Sequence, residues 1–218
     1  SLSKNNCGFG GDREGDGGGG WDNLISVNNM VKEKNNDLYK DVRLIMIGVR
    51  YMWWTGNSFL ESVLELDNTK SNNTVTSELL LTQSLELLLK SYFATEICIK
   101  NRDKDRKCVE LMLNEFFRKF GHDMVKLLNN DAYLKNMLDI SDVGKIENDF
   151  VSDFRISLNN SYVLSFKELE SVRYGVFAKN QNLLNGPVSQ NNLSFLKKLS
   201  EIVSEKIRLT FVELGARQ

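Results

Sequence analysis

The sequence predicts an all-α fold, an up-and-down helical bundle of about five to six helices behind a flexible glycine-rich tail. Three observations lead to this. Apolar residues recur at spacings of three and four in several long segments. The stretch Ser77–Lys100, SELLLTQSLELLLKSYFATEICIK, is apolar around most of its circumference, so it needs neighbours on several sides. Eight of the fifteen glycines fall in residues 1–20, and the only proline is Pro187, so the rest of the chain carries few helix breakers.

The elements follow in order. Residues 1–22 offer almost nothing to bury and are expected to be flexible and dispensable. Their GFGGDREGDGGGG run has neither the Lys-Ser/Thr of a phosphate loop nor a strand before it. The serine start suggests a fragment, and this start has no signal-peptide apolar region. Residues 23–218 are expected to form a single bundle.

The first long helix is expected over Asp37–Leu66, from Leu38, Val42, Ile45, Met46, Val49, Trp53, Leu60, Val63 and Leu64, with Gly56-Asn57 bending or splitting it. Trp53 and Trp54 lie ~100° apart on a helix, so one belongs to the core and the other to a rim or an interface. Residues 67–74 form a polar loop, and Thr76 or Ser77 can cap the central helix. A third helix starts near Asp105, carries Val109, Met112, Leu113, Phe116, Phe117 and Phe120 on one face, and stops at Gly121. His122 or Asp123 then caps a new helix through Val125, Leu127 and Leu128. The spacing of Val143, Ile146, Phe150, Phe154 and Leu158 predicts a helix from about Ser141 to Leu158. Residues 159–189 read as extended loop or broken helix, with SYVLSF and SVRYGVF as candidate short strands. The last helix spans Asn191 to about Leu214.

Several function classes are excluded at this level. A net charge of −1 and a pI near 6.0 provide no global attraction to nucleic acid or membrane. The three cysteines, Cys7, Cys98 and Cys108, form no CxxC and His122 is the only histidine, so no metal site and no cofactor are expected. Free thiols indicate a reducing compartment. No apolar run approaches the ~18 residues of a membrane span, and the expected location is the cytoplasm.

The polar remainder of the central helix is Gln83, Glu86 and Lys90, with Glu86 and Lys90 spaced for an i,i+4 ion pair. Two readings stand: a solvated strip, or a buried polar cluster in which the carboxylate must find partners. In the second, the GHD turn folds back so that Glu86, Lys90 and His122 meet beside Asp123. His122 is then chiefly structural, and Arg118 stays at the surface.

The phrases LELLLK at 85–90 and GHDMVKLL at 121–128, between a long first helix and a later SVRYG, resemble the HEPN superfamily of small helical domains of prokaryotic defence and toxin–antitoxin systems. The similarity spans roughly residues 38–210. The resemblance implies a homodimeric bundle, in some members alongside a nucleotidyltransferase-like or antitoxin partner, whose active members cut RNA without metal through an Arg-x4–6-His motif. This chain departs from that motif, because Arg118 stands four residues before His122 with three between. The first expectation is therefore a binding or regulatory component without an intact catalytic motif. The alternatives are a metal-independent endoribonuclease using Arg118 and His122, in which the imidazole moves a proton and the guanidinium holds a phosphate, and an interaction module with no nucleic-acid role. Self-association is expected through Met52, Trp53, Trp54 and the first-helix apolar stripe.

Overall fold

The computed structural model describes residues 22–68, 74–147, 152–158, 162–167 and 190–215. The chain divides into two units, Ser1–Asn36 and Asp37–Gln218. Within the first, the described backbone is the opening part of helix α1. Everything that follows concerns the second unit.

The elements are α1 (Asp22–Asn68), α2 (Thr74–Lys100), α3 (Arg106–Phe120), α4 (Met124–Asn129), α5 (Ala132–Met137), β1 (Ile140–Glu147), β2 (Ser152–Leu158), β3 (Tyr162–Lys167) and α6 (Gln190–Glu213). The helical bundle expected from apolar spacing is the architecture of the described helices. The tail expected over 1–22 lies outside the described residues except Asp22, where α1 begins; SVRYGVF and the turn at Pro187 also lie outside them.

Helix α2 is central because it is apolar on nearly every side. Leu81, Leu85, Leu88, Leu89, Tyr92 and Phe93 are all buried, and α2 packs against α3, α4, β3 and α6. At ~2 kcal/mol for each fully buried leucine, this one helix accounts for a large part of the driving force for folding. It starts at Thr74, so Thr76 and Ser77 lie inside it and do not cap it. The aromatic side chains of α2 and α3 continue the core: Phe116 stacks 5.3 Å from Phe93 and 4.5 Å from Phe120, centroid to centroid.

Helix α1 runs unbroken through Gly56-Asn57, where a bend or split was expected. Gly56 is buried, and a Cβ built on it would stand 3.1 Å from Leu87 Cβ and 3.3 Å from the Ser84 carbonyl oxygen. The glycine therefore serves close approach of α1 to α2 and does not break the helix. Helix α6 runs antiparallel to α1: Trp53 Nε1–H donates to the Ser200 carbonyl at 3.1 Å, and Arg43 Nε–H donates to the Leu214 carbonyl at 2.9 Å.

The all-α expectation fails at residues 140–167, where the chain forms a three-stranded antiparallel sheet of order β1-β2-β3. The helix expected over 141–158 is instead the β1–β2 pair, with Val143 opposite Ile156 and Lys145 opposite Phe154. Phe154, Ile156 and Leu158 alternate with polar residues, the strand period, and the helical spacing of Val143, Ile146 and Leu158 is coincidental with it. Gly144 and the β-branched neighbours weaken a helix in the same place. SYVLSF, a candidate short strand in a stretch read as extended loop or broken helix, supplies β3, pairing Phe154 with Phe166 and Leu158 with Tyr162. Entry to the sheet is a turn at Asp139, whose φ is 58°.

Candidate functional site

The turn between α3 and α4 is built from three residues with distinct tasks. Gly121 ends α3 at φ 56° and ψ −121°, a conformation suited to glycine alone, and its N–H donates to the Phe117 carbonyl at 2.8 Å. Asp123 caps α4, its Oδ1 accepting from the Lys126 N–H at 2.9 Å. His122 lies between them. Burial of Met124, Leu127 and Leu128 anchors α4, and this fixes the direction in which the imidazole leaves the turn.

That direction leads to α2. His122 Nδ1 lies 2.7 Å from Glu86 Oε1, and Lys90 Nζ lies 2.6 Å from the same oxygen. A carboxylate accepts only, so Nδ1–H is the donor and a neutral ring presents the lone pair of Nε2 elsewhere. The Glu86 side chain is 9% exposed and that of His122 is 51% exposed. The ammonium of Lys90 also stands over the Phe117 ring, 5.7 Å from its centroid. The structure thus joins Glu86, Lys90 and His122. Asp123 is adjacent but works as a helix cap. Arg118, exposed in the last turn of α3, makes no hydrogen bond or ion pair with any of them among the described residues.

Two further cations lie near the turn: Lys119 and Lys126 stand 5.3 and 5.5 Å from the Phe120 ring centroid. The arrangement is a half-exposed imidazole held by a nearly buried carboxylate that Lys90 also pairs with. Such a pair orients a ring nitrogen for hydrogen bonding or proton transfer.

A second polar cluster, which sequence reasoning missed, lies farther along α2. Tyr92 Oη donates to Asp131 Oδ2 at 3.3 Å, and Lys206 of α6 stands 4.7 Å over the Tyr92 ring while pairing with Glu96. Glu96 also pairs with Lys100 at 3.0 Å. Burial alone would raise the Glu96 carboxyl, but hydrogen bonds from Lys206 and Lys100 outweigh it and hold the group below its ordinary range. Burial, reinforced by Asp131 and Glu96, pushes the Tyr92 phenol well above its usual value. Burial pushes the Cys98 thiol up to about 12, which makes it unreactive. Only the Glu96–Lys100 spacing was visible in the sequence; Lys206 and Asp131 reach the cluster from distant elements.

Among the described residues no set of three or more His, Cys, Asp or Glu is placed to hold a metal ion. No described helix is long and apolar enough to cross a membrane. No protein-family model, curated protein or solved structure matches the chain.

Proposed function

We propose that this chain is a HEPN-like helical component with a binding or regulatory role in a defence or toxin–antitoxin system, acting as a homodimer in the cytoplasm beside a nucleotidyltransferase-like or antitoxin partner, with RNA as the ligand class. The observation that carries the reading is the commitment of His122 Nδ1 to the buried Glu86 carboxylate at 2.7 Å, with Arg118 elsewhere. A histidine that satisfies a buried acid has a structural reason to be present. A catalytic pair needs its cation aimed at the same reacting group as the base, and among the described residues Arg118 has no hydrogen bond or ion pair that aims it there.

The endoribonuclease reading keeps one observation in its favour, the 51% exposure of the His122 side chain, which leaves the far ring nitrogen accessible to a ribose hydroxyl or phosphate. Incubating the full chain with transfer RNA in EDTA separates the two. The proposed function expects retention of RNA or of a partner without cleavage, and a lower melting temperature for His122→Ala. A His122→Ala variant of unchanged stability that loses a cleavage activity present in the parent overturns it in favour of the enzyme.

A further inference from the structure

Between α1 and α6 lies a cleft of about 300 Å³, lined by Trp53, Asn57, Ser200, Glu201, Ser204 and Glu205. That volume is the lower end of the range for small-ligand sites. Trp53 is the inward member of the tryptophan pair, Trp54 being 60% exposed. The floor is a one-way chain of hydrogen bonds. Glu61 only accepts, so Asn57 turns its amide N–H toward Glu61 Oε1, at 2.7 Å, and its Oδ1 toward Ser200. Ser200 Oγ–H therefore donates to Asn57 Oδ1 at 2.8 Å, and Ser200 Oγ accepts from Trp53 Nε1–H at 3.1 Å. The indole N–H and the hydroxyl proton are thus committed within the protein. All six lining residues also lie inside long helices, where backbone N–H groups are already bonded. What the walls offer a ligand is chiefly acceptors.

These acceptors carry charge. Glu201 is exposed, and among the described residues neither it nor Ser204 has a hydrogen bond or ion pair; Lys197, one turn earlier, is not paired with it. Glu205, one turn later, gives both oxygens to Arg208 at 2.7 and 2.6 Å. Two glutamates spaced i,i+4 repel each other along a helix, and Arg208 answers only the second. Among the described residues no cation lines the cleft, which disfavours an anionic ligand. A hard metal ion needs ~6 oxygen ligands, and one free carboxylate with a hydroxyl is too few.

We propose that this cleft binds an organic cation, a guanidinium group on a short apolar stem. The planar fork of a guanidinium matches the Glu201 carboxylate with two parallel N–H bonds, a further N–H reaches Ser204 Oγ, and the flat cation and its stem lie against the Trp53 indole. At ~30 Å³ for each water-sized group, the cleft holds such a group and a stem of a few carbons. A free small molecule and an arginine side chain of another protein both carry this chemistry. The site involves neither His122 nor RNA, so it stands or falls separately from the proposed function.

Titrating the isotope-labelled full chain with N-butylguanidinium should shift the Trp53 indole N–H resonance, with a dissociation constant of about 1 mM. The neutral isostere N-butylurea and the non-planar n-butylammonium ion should each bind more weakly, the urea by ~10-fold. Glu201→Gln should weaken guanidinium binding ~10-fold and leave the melting temperature unchanged or slightly higher, because it removes the repulsion with Glu205. Glu115→Gln, the same change of charge at an exposed position on α3, should leave binding as it is. A blocked Gly-Arg-Gly tripeptide that binds at least as tightly as N-butylguanidinium assigns the site to a protein side chain, and weaker binding assigns it to a free small molecule. The proposal is overturned by the absence of a saturable shift up to ~20 mM, by urea or ammonium binding as tightly as the guanidinium, or by equal losses in Glu201→Gln and Glu115→Gln.

Discussion

His122 and Glu86 meet across the turn between α3 and α4, Nδ1 to Oε1 at 2.7 Å, and the two side chains occupy very different environments. The carboxylate is nearly buried and has Lys90 one helical turn away as its other partner; the imidazole is half in water. The pair is therefore asymmetric in what each member loses on deletion. A buried acid that loses one of two donors keeps the other, whereas a half-buried lysine and a histidine that lose their acid have no comparable acceptor among the described residues.

His122→Ala should lower stability by about 1 kcal/mol, below the ~1.5–3 kcal/mol of a hydrogen bond to a charged group, because the ring is half-exposed and water can replace it. Glu86→Ala should cost more, about 2–3 kcal/mol, since it strands Lys90 and empties a nearly buried position. Arg118→Ala should stay within about 0.5 kcal/mol. Urea unfolding of the three variants checks the order; equal losses for Arg118→Ala and Glu86→Ala would contradict it.

Gly121→Ala tests whether the turn aims the imidazole. At φ 56° and ψ −121° an alanine is strained even though no neighbouring atom lies within 4 Å of its Cβ, and the expected cost is about 1–3 kcal/mol. The His122 ring resonances should shift in the same variant, because relief of the strain moves residue 122. Unchanged resonances would show that α4 alone holds the ring in place.

The long helices were legible because their apolar spacing repeats over many turns, as with Val109, Leu113 and Phe120 on α3. Their ends were legible where a cap is chemical: Asp105 and Gly121 bound α3 as expected. The sheet was not, because residues 143–158 satisfy both periods over a short window and apolar spacing there does not show the hairpin pairing, Glu147 with Ser152 out to Ile140 with Leu158, that decides between them. The Glu86, Lys90 and His122 cluster could be proposed because α2 has so little polar surface that its few charged residues must be matched. Lys206 over Tyr92 and Trp53 on Ser200 join residues more than a hundred positions apart, and nothing local marks them.

Gly56→Val should destabilise by about 2 kcal/mol. The added Cβ meets Leu87 Cβ at 3.1 Å and the Ser84 carbonyl at 3.3 Å, atoms of the α2 backbone and stem that cannot swing aside, so α1 and α2 must separate. Gly56→Ala sets the same crowding against a helix-propensity gain of ~1 kcal/mol and should change stability less. Thermal melts of both decide: a valine variant as stable as the parent would mean that the two helices are not in tight contact here.

The last expectation concerns acid. The Glu96 carboxyl is held below its ordinary value, since the hydrogen bonds from Lys206 and Lys100 outweigh the effect of its burial. A carboxylate with a depressed folded-state pKa contributes stability that is fully present above its unfolded pKa of ~4.3 and is lost as pH falls through the lower folded value. Protonation of Glu96 removes the pairing from the acid side. Glu96→Gln should therefore cost about 1 kcal/mol at pH 7, and the gap between it and the parent should close as pH falls below about 4. Lys206→Met should show the same convergence and also remove the cation from the face of Tyr92, leaving a residual loss at low pH that Glu96→Gln lacks. Urea midpoints measured from pH 7 to pH 3 test both, and a gap for Glu96→Gln that stays constant with pH would show that its contribution is packing and not charge.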